Sequence, residues 1–241
     1  MIQIATVRKY LDRLTKKEQK GNILSGEDFN TFIAISQSEH FDNQKRKAEA
    51  TGDITDSLRG FITTANLSAT GGNLDISLLS NYAKLLQAYR YLDPTYYPCD
   101  LVSQMEKGDR LTNSLTVPTA KNPIVSIEGS NFVFLPATSS YVKVVYLKRP
   151  TDPFLDFYYD QYRNIVYLAA GATHTLGTSE VYRDGTSSGT VNSITVEFEW
   201  TDDDDIIAIA HNLLVKLGIT IPNNLAIELG SQKVMESSVK A

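Results

Sequence analysis

Residues 199–219 read EWTDDDDIIAIAHNLLVKLGI. Four successive aspartates shortly before His211 admit two opposed readings, a metal site or the start of a helix. Neighbouring residues on one helical turn point in different directions, so Asp202 to Asp205 are poorly placed to converge on a single ion. Thr201 stands where an N-cap belongs and Asp204 lies three residues on. Acids in a first turn also face unpaired amides and the positive end of the helix dipole. Ile206, Ala210, Leu213, Leu214 and Leu217 then recur at helical spacing, and Gly218 is a suitable terminator. The stretch is expected to open a helix, capped by Thr201 and Asp204.

Outward from it, the preceding VNSITVEFEW (191–200) puts Ile194, Val196, Phe198 and Trp200 on one face and Thr195, Glu197 and Glu199 on the other, the pattern of a half-buried strand. At the opposite end, Ile4, Val7, Leu11 and Leu14 mark a helix stopped by Gly21-Asn22. In SGEDFNTFIAISQSEHF (25–41), Ser25 can cap the amide of Asp28, and Phe29, Phe32, Ile33 and Ser36 share a face. That second helix is expected to reach the mid-forties, where the charged NQKRKAEATGD (43–53) follows. Ile54, Leu58 and Phe61 form a shorter apolar stretch. Each end helix has one apolar face and needs a partner, so residues 1–60 are expected to pack against 201–218.

Between them, TTANLSATGGN (63–73) reads as a small-polar loop, and NYAKLLQAYRYLD (81–93) fits a helix or a tyrosine-rich strand equally. PIVSIEGSNFVFLP (123–136) reads as a hairpin turning at Gly129-Ser130-Asn131, while YVKVVYLKRP (141–150) and RNIVYLAAG (163–171) are strand candidates. The fold class is therefore α+β. A helical portion comes from both chain ends, residues 1–64 and 201–241, with an antiparallel β-rich portion, 65–200, inserted between them.

The chain's 241 residues, 42% of them hydrophobic, can bury a sizeable core. A net charge of -5 gives no global reason to hold nucleic acid. Cys99 is the one cysteine, which leaves no disulfide framework and suits a reducing compartment. No apolar run approaches the roughly 18 residues of a membrane span, and the charged opening does not resemble a signal peptide, so Asn66-Leu67-Ser68 carries little meaning as a glycosylation site. His40, His174 and His211 lack zinc-site spacing. GATHTLG (171–177) and RDGTSSGT (183–190) match neither a phosphate loop nor a dinucleotide fingerprint, and no serine sits in a nucleophile elbow. Neither an enzyme nor a cofactor or metal is expected. What stands out is DPTYYP (93–98) and DFYYDQYRN (156–164). Tyr96, Tyr97, Phe157, Tyr158, Tyr159 and Tyr162 are candidate interface residues, because tyrosine suits half-dry contacts; packing on a sheet edge is the plainer reading.

Taken in order, the helical start, KGNILSGEDFNTFIAISQSEHF, ITDSLRGF, DRLTNSLTVPTAKNPIVSIEGSNFVFLP, VKVVYLKRPTDP and VEFEWTDDDDIIAIAHNLLVKLGI resemble the neck or connector ring proteins of tailed phages, especially crAss-like phages, over residues 1–218. The resemblance implies a non-enzymatic virion protein, made in the host cytoplasm. It further implies a ring of identical copies, typically twelvefold, stacked on the portal and next to neck or tail proteins. Genomic DNA would pass through without specific binding, and no membrane is involved. The other function class left open is a carbohydrate- or surface-binding module using the tyrosine-rich loops.

Overall fold

In a computed structural model, residues 2–17, 24–138 and 140–218 are described. The expected stop at Gly21-Asn22 and the tail from Ile219 lie outside them, as does the side chain of Leu14. The chain forms two compact units, Met1–Gly60 with Pro150–Ala241, and Phe61–Arg149.

Helix α1 (Ile4–Lys17) buries Ile4, Val7, Tyr10 and Leu11, the face that the spacing selects. It also buries Arg8, whose guanidinium donates to the carbonyl of Leu24 at 2.7 Å, pairs with Asp12 at 3.1 Å and lies over the rings of Phe29 and Tyr167. A cation removed from water in this way must be paired and hydrogen-bonded. Helix α2 (Gly26–Thr51) starts as expected, with Ser25 Oγ accepting the Asp28 amide at 3.0 Å. It runs past the mid-forties because Lys45 to Ala50 are good helix formers, and stops at Gly52, whose φ of 77° is left-handed. Gly26 is required: a Cβ there would stand 2.4 Å from the Phe157 ring. A short α3 (Asp56–Arg59) precedes the second unit.

That unit is a strongly curved seven-stranded sheet. Its strands are β1 (Ile62–Ala69), β2 (Asn73–Asp75), β3 (Tyr82–Leu92), β4 (Thr95–Leu101), β5 (Ile124–Glu128), β6 (Asn131–Leu135) and β7 (Ser140–Lys148), in the order β1-β7-β3-β4-β5-β6-β2. The two outermost strands, β1 and β2, are consecutive in sequence and joined by a tight turn in which Thr70 and Asn73 exchange hydrogen bonds, so the sheet nearly closes on itself. Gly72, with φ 82°, lets that turn approach the Phe134 carbonyl. Val142, Val144 and Tyr146 of β7, Phe132 and Phe134 of β6, and Leu85 and Ala88 of β3 fill the interior.

Three expectations change here. The segment 63–73 is mostly strand, not loop: Ala65, Leu67 and Ala69 supply an inward face too small to stand out beside Asn66 and Ser68. The 81–93 ambiguity resolves as strand β3. The sheet is mixed, because β4 and β5 pair in parallel, joined by α4 (Gln104–Thr112) and the segment after it. The 123–136 hairpin forms with the register that its turn implies, Glu128 opposite Asn131.

After Pro150 the chain rejoins the first unit, so the inserted portion ends near residue 149 and not at 200. Polar positions of α2 explain this. Asn30 bonds both the amide and the carbonyl of Leu155, at 2.8 and 3.0 Å, and Gln37 donates to the carbonyl of Thr151. Strands β8 (Asp156–Tyr159), β9 (Ile165–Leu168) and β11 (Val181–Tyr182) form a three-stranded sheet, and β10 (Thr173–Thr175) pairs with β12 (Thr190–Asn192). Beside them Asp156, fully buried, accepts from Tyr182 Oη at 2.6 Å, Arg183 Nε at 3.0 Å and the amides of Phe157 and Ile194. Residues 193–200 are not a laddered strand. Their one bridge joins Val196 to Phe154, and Thr195 is buried where Ile194 was expected, since its hydroxyl donates to the Leu168 carbonyl while accepting the Asp156 amide. Phe198 and Trp200 do point inward. Helix α5 (Asp203–Lys216) then packs on α2, tied by Lys216 to Glu39 at 2.7 Å.

Candidate interface surfaces

The aspartate run spreads over separate tasks. Asp202, not Thr201, is the N-cap: its Oδ1 accepts the Asp204 amide at 3.0 Å, while Thr201 is exposed one residue too early to reach the first turn. Asp203 accepts the Ile2 amide at 2.8 Å and Asp205 faces His40 Nε2 at 2.8 Å. The Asp204 side chain is exposed. Among the described residues no three histidine, cysteine or acidic side chains cluster to hold a metal. A cleft of about 690 Å³ opens beside this helix start, lined by His40, Lys47, Asp202, Asp204, Asp205 and His211 among others.

The tyrosine candidates divide. Phe157 and Tyr158 are buried, Phe157 against Gly26 and Tyr158 stacked on His174 with ring centres 4.2 Å apart, so neither is an outward contact. His174 in turn meets Glu180 at 2.8 Å. Tyr159 is half-buried with its ring edge-on to Phe157. Tyr162 is 75% exposed at the turn between β8 and β9. In the second unit Tyr97 is half-buried and Tyr96 exposed.

Strand register extends Tyr96 into a surface that the two quoted motifs do not contain. Tyr96 pairs with Tyr91, their rings 5.0 Å apart, Tyr89 lies two residues along β3, and Lys143 of β7 sits opposite Tyr89 and over its ring. Tyr141, two residues before Lys143, is 65% exposed. Side chains two apart on a strand share a face, so these form one outward row on the large sheet. The spacing of Tyr89 and Tyr91 carries that signal, but only a strand puts the two on one face.

Helix α4 supplies a different surface. It buries no residue; Arg110 tethers it to Asp100 at 2.7 Å and Lys107 to Glu128. The hydrogen bonds from Lys107 and from Ser126 hold the Glu128 carboxyl below the usual carboxylate range. Met105, Leu111 and Leu115 are exposed, Leu115 by 92%. An element held by ion pairs with its apolar side chains outward is the makeup of an association surface.

Compared with protein-family models and with curated proteins, the chain matches none. No helix among the described residues is long and apolar enough to cross a membrane.

Proposed function

We propose that this chain is a non-enzymatic structural subunit of a ring in the neck of a tailed phage, joining portal to tail and lining the path of the DNA. Its copies would assemble with one another, about twelve to a ring, against the portal and adjacent neck or tail proteins.

The observation that carries the reading is the presence of dissimilar uncovered surfaces on one small chain: the tyrosine row of the large sheet, the apolar side chains of α4 and its following segment, and the acidic cleft at the start of α5. A closed ring is built from heterologous contacts, in which one patch meets a different patch on the neighbour. The net acidic balance supports passage of DNA without retention, since phosphates are repelled. Native mass spectrometry of the protein alone and with the portal tests it: a ring-sized assembly is expected, and a strict monomer under both conditions overturns the reading. Tight, salt-sensitive duplex binding would overturn the non-retaining channel even if the ring survived.

The adjacent Tyr91 and Tyr96 rings favour a second reading, a carbohydrate-binding face. It requires saccharide affinity in the isolated chain that is lost in Tyr96→Ala; calorimetry against a panel of oligosaccharides separates the two.

A further inference from the structure

The turn between β8 and β9 is fixed from within. Asp160 Oδ1 accepts the amides of Tyr162 and Asn164, each at 2.8 Å, Oδ2 takes Asn164 Nδ2 at 3.1 Å, and the Arg163 amide returns to the Asp160 carbonyl at 2.9 Å. Arg163 holds a φ of 64°, a conformation unusual for a residue with a side chain. The loop thus presents Tyr162 and Arg163 outward, and among the described residues neither side chain has a hydrogen-bond or ion-pair partner. Tyrosine and arginine are the residue types that dominate contact energies, and a loop ordered before binding loses less entropy on docking.

The cleft at the start of α5 has the opposite character. Asp202, Asp204 and Asp205 face it with Lys47 as the one lysine or arginine of its lining among the described residues, which are net acidic. Asp205 is only 5% exposed, and while His40 engages Oδ1, its Oδ2 is buried without any hydrogen-bond donor. A buried carboxylate oxygen left without a donor is costly, and because Oδ2 is closed to solvent, an outside donor recovers that cost only once the Asp205 side chain turns toward the cleft it lines.

We propose that the Tyr162–Arg163 loop of one copy seats in this cleft of the next copy. Arg163 lies against Asp202 and Asp204, and on docking the Asp205 side chain turns toward the cleft, where the Tyr162 hydroxyl supplies the donor that its Oδ2 lacks. Loop and cleft are different patches, so each copy keeps one of each for a further neighbour and the contact propagates as a ring requires. This rests on the ring reading and names one of its contacts.

Assembly is measured by native mass spectrometry, and folding by thermal melting, for the full chain, Arg163→Glu, Asp204→Arg and the two combined. Each single change is expected to weaken association at least tenfold with the fold retained, and the combined exchange to regain most of it; Tyr162→Phe should weaken association without changing the melting temperature. Should Asp204→Arg fail to fold, Asp204→Asn and Arg163→Gly carry the test, since the first keeps a residue compatible with the helix start and the second relieves the backbone at φ 64°. A wild-type ring that assembles equally well from folded single variants overturns the loop-and-cleft contact while leaving the ring intact. So do single losses that the combined exchange does not repair. A wild-type chain that stays monomeric with and without the portal overturns both.

Discussion

Asp205 and His40 lie 165 positions apart in sequence and 2.8 Å apart in space, Oδ1 to Nε2, where α5 meets α2. Trp200 closes the arrangement, its indole edge-on to the imidazole at 4.9 Å. All three are buried, so the pair joins the two ends of the chain away from solvent.

Removing the carboxylate leaves a buried imidazole nitrogen unmatched. Asp205→Ala should therefore lower stability by about 1–3 kcal/mol, read from urea unfolding midpoints. A change confined to a few tenths would mean that the pair does not hold α5 to α2.

The N-cap separates neighbouring residues. Asp202→Ala is expected to cost about 0.5–2 kcal/mol as a lost cap, and Thr201→Ala to stay within about 0.5 kcal/mol as an exposed substitution. A larger cost at Thr201 than at Asp202 would return the cap to Thr201.

Burial pushes the Cys99 thiol up to about 12. With almost no thiolate near neutral pH, the folded protein should react with a maleimide far more slowly than the urea-unfolded chain. Equal labelling rates would contradict the position of Cys99 inside the large sheet.

The Gly177 amide and His174 hydrogen-bond Glu180 and hold its carboxyl below the usual carboxylate range. A carboxyl whose pKa is lower in the folded than in the unfolded state contributes stability that is fully present above the unfolded value. That contribution is lost as pH falls through the folded value. Glu180→Gln should therefore flatten the loss of stability on the acid side, measured as urea midpoints between about pH 3 and 6. An unchanged acid limb would show that Glu180 does not contribute to it.

Features written in a few adjacent residues were readable directly. Ser25 and Asp28 specify the start of α2, and Gly129-Ser130 turns the β5–β6 hairpin with the correct register. The apolar spacing of α5 also held, whereas its cap lay one residue beyond the expected position. What failed depends on distant partners. Asn30 and Gln37 look like ordinary polar helix positions until the backbone of 151–155 arrives to bond them. Phe157 and Tyr158 look like interface tyrosine-cluster members until Gly26 and His174 cover them. The row of Tyr89, Tyr91, Tyr96 and Tyr141 exists only once β4, β3 and β7 lie side by side.

The second unit enters on β1 and leaves on β7, and these strands are hydrogen-bonded neighbours with Ile62 opposite Leu147 and the Lys148 amide on the Phe61 carbonyl. Paired strands stand about 4.8 Å apart, so the 61–149 segment begins and ends within one strand spacing. Such a segment behaves as a cassette: it can lengthen, shrink or be exchanged for another folded module while the cut ends keep their separation. Replacing its outer tyrosines leaves the paired junction strands intact, whereas Arg8, Asn30, Gln37 and Asp156 each hold backbone or side chains supplied by another segment.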